Sequence, residues 1–339
     1  MRWKGTYWVA RHDGAAGEGD PIMIDTLTRA LLPIFLIIAL GVIAGRSGRL
    51  DNGKVGPLNT LVMDFALPAA MFGAVTRTSR AELALQWTLL VALTACLLGM
   101  WLAIYLLQRR LFRQCSGDAS VMAISVALPN FAAAGVPLLS SVFGNHGRIQ
   151  VALAIAIGAV VLSPLTLILL DIDRARREGS TAKAHHAIRA AIERVAVSPL
   201  VLAPIIGVVF VLVGVKLPVA LQSSFDLLGQ ASSGVALLLT GLVLSANRIA
   251  LTTKVMAAVF IANVLRPVLS LGLVQLLPMA GQVEHATILL SALPAGFFGI
   301  FFALRYGTGI KESATVVAIS TATSIVTLAA TMALTAGMG

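Results

Sequence analysis

Read with a window of about 20 residues, the chain alternates apolar segments with short polar connections. Ten apolar segments emerge, near 27–45, 55–75, 85–107, 119–143, 149–170, 195–215, 225–246, 255–277, 286–303 and 312–337. About twenty residues of α-helix rise roughly 30 Å, the thickness of bilayer hydrocarbon, so each segment predicts a membrane-spanning helix. The seventh and ninth are the least distinct, being rich in Gly and Ser. Long apolar runs instead of short alternating ones argue against a β-barrel. The longest polar connection, 171–194, falls between the fifth and sixth segments and divides the chain into 25–170 and 195–339. With five spans in each half, a shared fold forces the second half to enter the membrane from the opposite side. The expected fold is therefore an all-α polytopic membrane protein with ten transmembrane helices in two inverted five-helix repeats. Residues 1–24 form a polar, Gly-rich tail without the apolar core of a signal peptide. Met23 directly precedes the first amphipathic turn, so the tail is read as following a mis-assigned upstream start.

Composition agrees with a membrane setting. Hydrophobic residues make up 58% of the 339 and charged residues only 12%, against about 25% in soluble domains. The net charge of +10 does not point to nucleic acid, because the basic residues sit in short connections. One alternating set of connections holds sixteen Lys and Arg and the other set four. The positive-inside rule then puts 171–194 in the cytoplasm and both termini on the other side of the cytoplasmic, or inner, membrane. Arg2, Lys4, Arg11 and Arg29 weigh against that orientation. The adjacent His185 and His186 belong to a basic linker, since neighbouring helix positions face different ways and no third ligand stands at useful spacing. Cys96 and Cys115 lie in different environments and predict neither disulfide nor metal site. No cofactor is expected.

The informative stretch is "SVALPNFAAAGVPLLSSVFG", 125–144, a predicted span carrying two prolines, two glycines and an asparagine. Proline removes a donor to the carbonyl four residues back and crowds it, so Pro129 and Pro137, with Gly135 between them, predict a broken helix. The ninth segment repeats the composition with Pro294, Gly296 and Gly299. In hydrocarbon, unsatisfied backbone groups cost several kcal/mol each, so a break persists where protein, water or a ligand supplies partners. Freed N–H groups at the start of a half-helix suit an anion. In an inverted repeat the two breaks would meet and cross at mid-membrane. The plainer reading is a kink or close packing. Asn130 adds an amide at that depth, for a carboxylate or for an interhelical hydrogen bond. Asp64, midway along the second segment, reads either as an ion-coupling carboxylate for H+ or Na+ or as a neutral, capped carboxyl. Arg266 reads as a second substrate contact, a partner of Asp64, or a snorkelling side chain. Phe297, Phe298, Phe301 and Phe302 would line a vestibule or pack in the core.

"LNTLVMDFALPAAMF" in the second segment, "LPNFAAAGVPLL" in the fourth and "LPAGFFGIFFALRYG" in the ninth resemble the auxin efflux carrier family, which includes plant PIN-type carriers and bacterial malonate or organic-acid transporters. The resemblance covers about 25–337. It implies crossing broken helices, a scaffold domain and a transport domain, elevator-like movement, and a homodimer. It places Asn130 as the contact to a substrate carboxylate and Pro137 as the first crossover proline. Gly299 stands where the plant pattern has the second. No equivalent of the plant coupling site is evident in the third segment.

The leading expectation is a secondary carrier for small organic anions, mono- or dicarboxylates such as malonate. No phosphate-binding G-x-x-x-x-G-K-[ST] pattern is present, so direct drive by ATP is not expected. A membrane sensor that binds the anion without moving it is the alternative. Intramembrane catalysis is disfavoured, because the spans offer one good Asp and no central His.

Overall fold

Long apolar runs must satisfy their backbone internally, and in the computed structural model the described residues form helices with no strand among them. The described residues are 21–52, 54–179, 184–247, 249–279 and 281–335, so most of the predicted tail lies outside them. The helices are α1 (Pro21–Arg46), α2 (Gly56–Thr76), α3 (Trp87–Arg110), α4 (Ser116–Ala127), α5 (131–143), α6 (145–177) and α7 (Ala184–Ala196). They continue with α8 (Pro199–Val213), α9 (Val219–Ala246), α10 (Thr253–Val274), α11 (Gly281–Ala292), α12 (Phe298–Tyr306) and α13 (Ile310–Thr335). A short helix, Arg80–Leu85, opens with a reciprocal cap between Ser79 and Glu82.

Among the described residues seven helices are each long and apolar enough to cross a bilayer, and an eighth if the bent pair Ile188–Ala196 and Pro199–Val213 is one span. The count falls short of the ten predicted for a local reason. The fourth and ninth apolar segments are each divided into two short helices, and α5 runs on into α6 without losing helical hydrogen bonding. Between those two, Gly144 takes φ +60° and ψ −131°, a conformation open to glycine. The chain folds back there so tightly that a Cβ on Gly147 would lie 2.0 Å from the Leu139 carbonyl oxygen.

Four of the prolines inside apolar helices follow a widened turn that absorbs them without a break. Wide π-turns at Leu61–Ala66, Phe131–Gly135, Gly158–Leu162 and Ile261–Leu265 each end two residues before a proline: Pro68, Pro137, Pro164 and Pro267. A proline has no N–H for the carbonyl four residues back and crowds it; a widened turn just upstream accommodates both defects.

Helices α1 and α9 pack along each other, as do α2 and α8. The first pair closes to backbone contact, since a Cβ on Gly41 would sit 2.2 Å from the Leu238 carbonyl oxygen. The most deeply buried elements are the first halves of the divided segments. Ala119 through Ala127 in α4, and Ala286 through Ala292 in α11, are all buried. Apolar side chains such as Leu36, Leu40 and Val209 are exposed on outer faces of α1 and α8.

Candidate functional site: two broken helices joined at their breaks

Helix α4 stops at Ala127 because Leu128 turns extended (φ −98°, ψ 104°) and Pro129 follows. Helix α11 stops at Ala292, and Leu293–Phe297 leads to α12. The two extended pieces pair as a short antiparallel bridge between Pro129 and Ala295. Its hydrogen bonds run from Asn130 N–H to the Pro294 carbonyl at 2.9 Å and from Gly296 N–H to the Leu128 carbonyl at 3.0 Å. Backbone groups freed by each break are thus satisfied by the other break, as hydrocarbon depth demands. The approach needs Gly296: a Cβ there would lie 2.4 Å from the Leu128 carbonyl oxygen.

Each break leaves a helix C-terminus, at α4 and α11, and a helix N-terminus, at α5 and α12. Arg266 lies against both C-termini, fully buried on α10. Its Nε donates to the Ser291 carbonyl at 2.7 Å, and its two terminal nitrogens donate to the carbonyls of Val126 and Leu293. A fixed cation with a planar fork of donors suits the partial negative charge of two converging C-termini. Arg266 therefore faces the backbone of both breaks. Among the described residues it pairs with no carboxylate, Asp64 included, and, fully buried, it does not snorkel to a surface.

Asn130 caps the first N-terminus. Its Oδ1 accepts from Ala133 N–H at 3.1 Å, which fixes which end of the amide is oxygen. The side chain is 1% exposed, and its Nδ2 has no hydrogen-bond partner among the described residues. A buried, unpartnered amide donor costs about 1–3 kcal/mol, so it marks a place where an acceptor belongs. A cavity of about 30 Å³ lies there, lined by Leu128–Ala132 and Gly296–Phe298 from the breaks, by Leu67, Ala70 and Met71 of α2, by Ser232 of α9, and by Ile155 of α6.

The second break is held differently. Ala295 N–H donates to Ser320 Oγ of α13 at 2.8 Å, and Ser320 in turn donates to Asn263 Oδ1 at 2.5 Å. The amide of Asn263 donates to Ser320 O and Thr323 Oγ1 at 2.8 and 2.7 Å. No side chain of the segment itself caps α12.

Several sequence expectations need correction. The first break is confined to Leu128–Asn130, and Gly135 and Pro137 lie in helical backbone beyond it, absorbed by the wide turn. Gly135 instead gives close contact, a Cβ there falling 3.0 Å from Leu293 Cδ1. Gly299 lies inside α12 and does not unwind it. Its missing side chain lets α12 press on α4, where a Cβ would overlap Ser125 Oγ at 1.7 Å. Asp64 sits in the α2 wide turn, about a third exposed, with Oδ1 receiving Arg305 Nη1 of α12 at 2.9 Å. It is not at the crossing. Phe297, Phe301 and Phe302 are buried in the core, and Phe297 and Phe298 also line the cavity.

Sequence reading missed Asn263, Ser320, Ser232 and Asn59. Asn59 is buried on α2, donates to the Phe301 carbonyl at 3.3 Å and leaves its Oδ1 without a partner among the described residues. The available signal for Asn263 was its place in "ANVLRP", a polar residue three before an intramembrane arginine.

The family model described as "Membrane transport protein" matches residues 26–332. The chain belongs to that family. The auxin efflux carrier resemblance seen in the three motifs is the same assignment, and the protein is a multi-pass membrane transporter. It is 29% identical over 304 residues to "Uncharacterized transporter YfdV" of Escherichia coli (strain K12), covering 88% of this chain and 94% of the relative. It is 25% identical over 309 residues to a protein of Rhizobium meliloti (strain 1021) named "Putative malonate transporter", covering 89% and 93%. Among solved structures, the sodium proton antiporter MjNhaP1 from Methanocaldococcus jannaschii at pH 8 aligns with a TM-score of 0.55 at 13% identity, covering 94% of this chain and 95% of the antiporter. At that identity the likeness is one of fold.

Proposed function

We propose that this transporter is a secondary-active carrier of small organic anions, mono- or dicarboxylates such as malonate, bound where the two broken helices meet. The carrying observation is the buried Nδ2 of Asn130, a donor without an acceptor, beside the N-terminal ends of α5 and α12. A carboxylate would complete that donor and meet the positive ends of both half-helices. The relative named for malonate supports the substrate class.

The architecture in this proposal is ten spans in two inverted five-helix repeats, 25–170 and 195–339, joined by 171–194 on the cytoplasmic side of the inner membrane. The packing supports it: α1 with α9 and α8 with α2 are the pairs that exchange under an inverted repeat, as are α3 with α4 and α10 with α11. A cavity of about 30 Å³ holds little more than a water, so a dicarboxylate needs the breaks to part from α2 and α9. That separation is the elevator-like movement of the proposal. Coupling to H+ or Na+ is assigned to Asp64, whose partner Arg305 rides on α12 and would leave it as the helix moves.

Uptake of radiolabelled malonate and related acids into proteoliposomes, under imposed pH and sodium gradients, tests the reading. Saturable uptake whose half-saturation Asn130→Asp raises by about 10-fold or more is the expected result. Tight binding with no flux under any gradient would establish the sensor alternative, and no response to any carboxylate would overturn the substrate class.

A further inference from the structure

A second cavity, of about 300 Å³, lies away from the crossing, at the end of the molecule that carries α7. Four elements build it: α6 with Asp171 and Arg174, α7 with Arg194, the start of α8 with Ser198, and the end of α12 with Arg305 and Tyr306. Three guanidinium groups therefore converge on one space against a single lining carboxylate. That carboxylate is already engaged: Asp171 Oδ1 accepts from Tyr306 Oη at 3.0 Å, and Arg194 Nε stands 3.6 Å from its Oδ2. Arg174 and Arg305 each spend one nitrogen outside, on Glu178 at 2.7 Å and Asp64 at 2.9 Å, which leaves the other guanidinium donors for a ligand. Helix α8, fifteen residues long, begins in this wall with Ser198 as its N-cap, and the Ser198 side chain caps no backbone N–H. Its hydroxyl donates instead to the Val195 carbonyl at 2.8 Å. The helix thus adds an uncapped positive end to the arginines.

We infer that this cavity is a binding site for a phosphate-type oxyanion, carried by an anionic phospholipid headgroup or free in solution. Arginine forks match the tetrahedral oxygens of phosphate, and several acting together from different helices give specificity that one surface arginine lacks. The surroundings suit a headgroup. Helix α7 turns Ala191 and Val195 inward and leaves Ile188 and Ile192 exposed one turn apart, with Arg189 and Arg194 on its other sides, the pattern of a helix lying in a membrane interface. An anion here would tie α7 and α8 to α6 and α12, so its binding would bear on how those helices move together.

The test compares the unfolding midpoint of the purified protein in phosphatidylcholine nanodiscs with and without about a tenth phosphatidylglycerol, and in detergent with inorganic phosphate against chloride at equal ionic strength. The variants are Arg194→Gln and the double variant Arg174→Gln/Arg194→Gln, with Asn130→Asp, which leaves this cavity intact, as a control. A rise of about 2 °C or more that both arginine variants lose and Asn130→Asp keeps is the expected result. A response to phosphatidylglycerol alone assigns the site to a headgroup, and a response to phosphate assigns it to a free anion. No response to either, or one that survives in the double variant, overturns the inference. Because Asn130→Asp is scored separately, failure here leaves the reading of the crossing untouched.

Discussion

The two breaks are built to the same outline and held by different means. At the first, the segment supplies its own cap, Asn130, and that side chain has a donor left over. At the second, support arrives from other helices through Ser320 and Asn263, and each polar atom of that pair is engaged. A completed network is a joint; a network short by one acceptor is a place for a ligand. The difference puts the recognition chemistry on the Asn130 side and gives the Asn263 side the task of holding α12 against α13. Arg266 belongs to both, through Val126 on one side and Ser291 and Leu293 on the other.

Removing the shared part should have the largest effect. Arg266→Met strips a donor from three buried carbonyls, at about 1–3 kcal/mol each, and should lower stability by about 3 kcal/mol or more. Thermal unfolding in detergent reads this, and a midpoint equal to that of the unaltered protein would mean the two C-termini need no cation. Next comes Gly296→Ala, whose Cβ would lie 2.4 Å from the Leu128 carbonyl oxygen. It should cost about 1–3 kcal/mol and abolish uptake by forcing the bridge open; normal uptake would show that the bridge is dispensable. Asn263→Ala should cost about 1–2 kcal/mol while changing anion affinity far less than a change at Asn130. The comparison fails if affinity is lost and stability kept. Asp64→Asn, a partly exposed pair with Arg305, should shift stability by less than about 1 kcal/mol and flatten the pH or sodium dependence of uptake. An unaltered dependence would make the pair a strut only.

Legibility in the sequence follows the same division. The first break could be read because what interrupts the helix is local: Pro129 ends one helix and Asn130 starts the next within two residues, although Pro294, Gly296 and Arg266 complete it from afar. The apolar runs likewise located the helices, with ends displaced by up to seven residues, as at Arg177 against the expected 170. The second break was read from Pro294 and Gly296, but its supports lie 31 residues before and 26 after Pro294, at Asn263 and Ser320, where no short-range pattern connects them. Pro137 misled because a proline need not break a helix: among the described residues the turn before it widens at four prolines, and Pro33 and Pro204 sit inside helices without such a turn. Gly299 misled because glycine signals both unwinding and close approach, and only the position of Ser125 in the fold decides between them. Arg266 was recognised as unusual, yet its partners are backbone carbonyls, which look alike at every position of a sequence.

The central claim is that the free amide of Asn130 receives the substrate's carboxylate. Its most direct test is the affinity of the purified protein for malonate and a panel of small carboxylates, measured by thermal shift for the unaltered protein, Asn130→Ala and Asn130→Asp. Aspartate keeps an oxygen that can cap Ala133 N–H; ionised, it has no donor and repels a carboxylate, so the cap is kept while binding is lost. The account predicts that Asn130→Asp folds normally and that both variants lose about 1.5–3 kcal/mol of binding, roughly 10- to 150-fold in Kd. Undiminished affinity in a well-folded Asn130→Asp would contradict it.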